Sequence, residues 1–93
     1  MAYRITSYTR GRAKALGVTI KPSTVKGKKI DVFNKKGDKL ASVGAIGYGD
    51  YPTFVKTKGL DYADSRRHMY KIRHEKDRHK RGSAGFYADQ LLW

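Results

Sequence analysis

"KKIDVFNKKGDKLASVGA", residues 28–45, is the stretch on which the fold turns. Ile30 and Val32 share one face of an extended run, and Leu40 and Ser42 alternate with Ala41 and Val43 on the next. A side-chain period of two sends one set inward and the other to water. "NKKGD" between the runs is turn chemistry, so a β-hairpin is predicted over residues 29–46.

Upstream of the hairpin, "VTIKP" reads as a further strand in which Val18 and Ile20 share a face and Pro22 ends the run. Before it, "YRITSY" alternates like a short extended segment. Thr9 is then placed to cap a brief helix, "RGRAKAL", that stops at Gly17.

Downstream, "GAIGYGDYP" brings Gly44, Gly47 and Gly49 together, a sign that the backbone bends or approaches something closely. No Gly-Lys-Ser/Thr follows, so it is not a phosphate-cradling P-loop. Asp50 is expected to cap a short helix, "PTFVKTK", closed by Gly59. A longer helix is predicted over residues 61–80, with Tyr62, Ser65, Met69 and Ile72 on one apolar stripe and most of the cations off it. The "FYADQLLW" end carries Phe86, Tyr87, Leu91, Leu92 and Trp93, too much apolar area to leave in water at about 25 cal/mol per Å². It is expected to dock on the sheet or on a partner.

The fold class these elements imply is α+β: a small antiparallel sheet containing the hairpin, packed by the basic helix and sealed by the aromatic tail, in a single domain spanning residues 1–93. The chain has no cysteine, so disulfides, thiolate nucleophiles and sulfur-ligated metals are excluded together. It also lacks an apolar run of about 18 residues and the apolar core of a signal peptide, so a soluble, unprocessed protein with no membrane association is expected.

Charge is the strongest compositional signal. The formal net charge is +13 on 93 residues. Eleven Lys or Arg stand against two Asp in residues 1–39, two against three in residues 40–65, and eight against three acids in residues 66–93. Two basic blocks thus flank a nearly neutral middle rich in glycine and aromatic residues. Such a density repels itself and is relieved by a polyanion.

The segment "RRHMYKIRHEKDRHKR", residues 66–81, sets eight Arg or Lys and three His against Glu75 and Asp77. A helix of this kind can run along a phosphate backbone, releasing a counterion at each neutralised phosphate. The plainer reading is a solvated amphipathic face, with Glu75 and Asp77 pairing with Arg73 and Arg78. Because the N-terminal block is basic too, phosphate contact is the expectation for Arg66, Arg67, Lys71, Arg73, Lys76, Arg78, Lys80 and Arg81, extended by Arg10, Arg12, Lys14, Lys28 and Lys29. Most of the eleven aromatic rings must form the core, but Tyr48 and Tyr51, beside the glycines, are candidates for stacking on bases.

His74, Asp77 and His79 do not make a metal site, because on a helix His79 points roughly 140° from His74. No cofactor is expected. A His-dependent nuclease would need clustered carboxylates, and only Asp50, Asp61 and Asp64 fall close together; Asp50 and Asp61 serve better as helix caps.

Three segments carry a resemblance: "VGAIGYGDYPTFVKTKG" (43–59), "RRHMYKIRHEKDR" (66–78) and "GSAGFYADQLLW" (82–93). Over the last two-thirds of its length the chain resembles a group of short basic proteins encoded by large DNA viruses of algae and protists and by related environmental viral genomes. In that group a strand ends in a "GA-x-GY-x-DY" turn, which leads to a helix with an "R-x-x-x-Y-x-x-RH" core and a "G-[FYW]-[YW]-…-LLW" end. These match Gly44 to Tyr51, Arg66 to His74 and Gly85 to Trp93. The resemblance implies a viral protein located in the virion or in a host intracellular compartment.

The function expected is non-catalytic, sequence-independent binding of nucleic acid, DNA for preference, in genome packaging or the virion. The alternative is a minor capsid or cement protein, which meets capsid proteins through its basic face and aromatic end. A small His-dependent nuclease is the third reading.

Overall fold

The structure, a computed structural model, describes residues 3–93. Its first helix, α1 (Ser7–Leu16), opens at Thr6, whose Oγ1 accepts from the Thr9 amide at 3.3 Å. Thr9 is therefore not the cap. Its hydroxyl is buried and donates to the Leu91 carbonyl at 2.9 Å, tying the two ends of the chain together. Gly17, at φ 74°, closes the helix.

Strand β1 (Thr19–Pro22) pairs antiparallel with β2 (Lys28–Phe33), and β2 with β3 (Lys39–Ala45), in a three-stranded sheet of order β1-β2-β3. The predicted hairpin is β2–β3, with Ile30 opposite Val43 and Val32 opposite Ala41. Its turn is built by Asn34, whose Oδ1 accepts from the amides of Lys36 and Asp38, both at 2.9 Å. Ile30, Val32 and Val43 are fully or almost fully buried. Between Ile30 and Val32, Asp31 is also buried, where it accepts from the hydroxyls of Ser23 and Ser42 at 2.5 and 2.6 Å and lies 3.4 Å from the Lys39 ammonium. Burial alone would raise its carboxyl, but those hydrogen bonds outweigh it and hold the group well below the ordinary carboxylate range.

Helix α2 (Tyr51–Lys58) starts as expected at Asp50, whose Oδ1 accepts from the Thr53 amide at 3.0 Å, and stops at Gly59. The long basic helix is shorter than predicted: α3 (Leu60–Arg73) ends at His74, and a single further turn, α4 (Glu75–Arg78), follows. Gly59, not Asp61, occupies the N-cap of α3. Its apolar stripe is also the reverse of the expected one. Tyr62, Met69 and Ile72 are exposed, while Ala63 and Tyr70 are buried.

The tail forms α5 (Ala84–Leu92), capped by Ser83, and lies on β3 and α1. Leu91 and Leu92 complete the core with Ile5, Ala13 and the sheet residues. The fold is thus α+β, an antiparallel sheet packed by helices that include the C-terminal one. Among the described residues no helix is long and apolar enough to cross a membrane.

Candidate nucleic-acid interface

A cleft of about 290 Å³ opens where one end of the β2–β3 hairpin faces α3 and α5. Lys28 and Lys29 line it from the sheet, Arg66, Tyr70 and Arg73 from α3, His74 from just past its end, and Leu92 and Trp93 from the tail. Tyr48 and Asp50 complete it from the glycine-rich loop.

The loop owes its path to glycines. Gly44 takes φ 80°, and a Cβ there would stand 2.8 Å from Leu92 Cδ1 and 2.9 Å from Lys29 Cδ. At Gly49 a Cβ would stand 2.2 Å from the Phe54 ring. The expected close approach is therefore to the protein's own side chains.

Lys29 anchors the loop. Its side chain is 5% exposed; the ammonium donates to Asp50 Oδ2 at 2.9 Å and to the Tyr48 carbonyl at 2.5 Å. Asp50 is buried as well and accepts from the Tyr3 hydroxyl at 2.7 Å. Burial opposes its ionisation, but Thr53, Tyr3 and Lys29 together keep its carboxyl below the ordinary value. Burial and the neighbouring Asp50 carboxylate push the Tyr3 hydroxyl up. Lys29 is thus a structural cation, which corrects its assignment to the phosphate-contacting set.

The opposite wall is a column of rings. Tyr70 stacks on Trp93 at 4.5 Å between centroids and on His74 at 4.4 Å. Burial first, and then the Asp89 carboxylate, push the Tyr70 hydroxyl up to about 12, so it stays protonated at neutral pH. Arg66 lies 5.7 Å over the Phe54 ring.

The remaining expected phosphate contacts divide into three groups. Lys28, Arg66 and Arg73 line the cleft and have no carboxylate partner among the described residues. Arg10, Lys14, Lys76, Lys80 and Arg81 are exposed away from it. The third group is engaged within the chain. Lys71 meets the buried Asp89 at 2.6 Å, and Arg78 meets Glu75 at 3.0 Å. Arg12 donates to the carbonyl and side chain of Gln90 at 2.8 and 2.9 Å. Arg67 lies 3.4 Å over the Tyr51 ring and donates to the Tyr8 hydroxyl at 3.2 Å.

Tyr51 is therefore engaged within the chain and half-buried, and its hydroxyl donates to Asp64 at 2.8 Å. Tyr48, by contrast, is 74% exposed. The carboxylates do not pair as expected: Glu75 takes Arg78 and His79, at 3.0 and 2.6 Å, and Asp77 lies 3.9 Å from His74. Among the described residues no three His, Asp or Glu gather as a metal site. Leu91 and Leu92 are buried within the chain, so of the five tail residues assigned to partner docking only Phe86, Tyr87 and Trp93 keep partly open surface.

No protein-family model, curated protein or solved structure matches the chain.

Proposed function

We propose that this protein binds nucleic acid, without catalysis and without reading sequence, through phosphate contacts centred on the cleft. The observation that supports it is the grouping of Lys28, Arg66 and Arg73, from two separate elements, around a concave surface where, among the described residues, the one carboxylate side chain, Asp50, is already neutralised by Lys29. Three uncompensated cations beside exposed and half-buried rings suit a polyanion that also carries aromatic bases. No groove-reading element accompanies them, hence the expected indifference to sequence. DNA as the target, and packaging or the virion as the setting, are part of the proposal and rest on the resemblance to viral proteins alone.

A gel-shift titration with duplex and single-stranded probes, run at two salt concentrations with and without Mg²⁺, tests it. Binding that is independent of probe sequence and weakens log-linearly with salt, with intact probes recovered, is the expected result. Failure to shift either probe at low salt overturns it, and cleavage in Mg²⁺ would restore the nuclease reading.

A further inference from the structure

We infer that the cleft takes one unpaired nucleotide, its base stacked on Tyr48 and its phosphate held among Lys28, Arg66 and Arg73, so that the protein prefers single-stranded nucleic acid to duplex. This rests on the nucleic-acid reading above and adds to it the form of the ligand.

Among the described residues Tyr48 is the only ring of the cleft that leaves most of its surface open. Its backbone is nevertheless fixed: the carbonyl accepts from the buried Lys29 ammonium at 2.5 Å, and the amide donates to the Ala45 carbonyl at 3.2 Å. An exposed ring on an anchored main chain is a stacking platform whose backbone ordering has been met by folding, leaving only the side-chain rotamer to be fixed on binding. Tyr51, the other candidate ring, is half-buried, already engaged by Arg67 and Tyr8, and does not line this cleft. The half-buried Trp93 ring also lines the cleft and offers a second apolar surface beside which a base can leave water.

Size selects the form of the ligand. A volume of about 290 Å³ lies at the bottom of the range of small-molecule sites, roughly 300–1,000 Å³, and suits a single nucleotide unit rather than a helix. A duplex keeps its bases stacked inside and can offer this cleft only backbone, whereas an unpaired strand can offer a base to Tyr48 and a phosphate to the cations together. Sugar chemistry is not selected by these groups, so DNA and RNA strands share the proposed contacts.

The chain has one tryptophan, Trp93, and it lines the cleft, so its fluorescence reports directly on a base entering there. The experiment compares oligothymidylate, oligouridylate, a duplex and an abasic deoxyribose-phosphate chain of equal length, on the wild type, Tyr48→Ala and Tyr48→Phe. The exposure of Tyr48 leaves both variants able to fold. We expect both oligonucleotides to quench Trp93 and to bind more tightly than the duplex and the abasic chain. Tyr48→Ala should weaken oligonucleotide binding about tenfold, one base stack's worth, without changing abasic binding, and Tyr48→Phe should restore it. Tighter binding of one oligonucleotide would assign the strand type within the same site. Equal affinity for all four polymers, no quenching and no effect of Tyr48→Ala would overturn the inference while leaving general phosphate binding intact. Absence of binding to any polymer at low salt would remove both.

Discussion

Lys29 and Arg73 look alike as letters in a basic chain, yet the fold gives them opposite roles. Lys29 is buried in an ion pair with Asp50, while Arg73 is exposed at the cleft. Removing one partner of a buried pair leaves the other charge uncompensated, so Lys29→Met should lower unfolding free energy by about 3–5 kcal/mol in urea titrations. Arg73→Gln should leave stability within about 0.5 kcal/mol and weaken nucleic-acid binding instead. The difference was hidden in the sequence because the partner of Lys29 lies 21 residues away, and period-two alternation alone sends Lys29 to the wet face. Asp50 was legible as a cap because its amide partner is only three residues on. At Asp31 and Asp50 the folded carboxyls are held below their unfolded value of about 3.9, so the stability they contribute is complete above that pH and is lost as the pH falls through the folded values. The urea midpoint should be flat from neutral pH to about pH 5 and drop in more acid solution, with a shallower drop in Asp31→Asn.

Among the elements, the hairpin and the glycine-rich loop were the most readable. Strand alternation and turn residues act over a few positions, and glycines mark close approach whatever they approach. The loop makes a sharp test, because Gly44→Ala places a Cβ at positive φ against Leu92 and Lys29 and should cost about 1–3 kcal/mol. Gly11→Ala, in the exposed middle of α1 with nothing within 4 Å of the new methyl, should stabilise by up to about 1 kcal/mol. Thermal unfolding of the two variants checks both signs. Helix α3 was the least readable element. Its most apolar stripe, Tyr62, Met69 and Ile72, faces water, and the face turned inward is made of Ala63 and Tyr70 with Arg66 and Arg67 half-buried beside them. Both sets fit a helical period; stacking on Trp93 and the packing of arginine over Phe54 and Tyr51 decided between them. These contacts join residues 12 to 23 positions apart, beyond what periodicity can detect. The cleft positions of Tyr70 and Trp93 rest on the same kind of contact.

For the molecule as a whole, a net charge of +13 sets stability against the proposed binding. Added salt screens self-repulsion and should raise the melting temperature from low to physiological ionic strength, while it weakens association with a polyanion over the same range. The charge total was plain in the composition, but its distribution was not. Ion pairs within the chain occupy Lys29, Lys71 and Arg78, and the cations left around the cleft are Lys28, Arg66 and Arg73. The most direct measurement is therefore the salt dependence of affinity for a single-stranded oligonucleotide, in the wild type and in the triple variant Lys28→Gln, Arg66→Gln, Arg73→Gln. Loss of three phosphate contacts should reduce the log–log slope by about 2, at about 0.7 per phosphate on a single strand. An unchanged slope in a folded triple variant would place the phosphates elsewhere and contradict the cleft as the binding site.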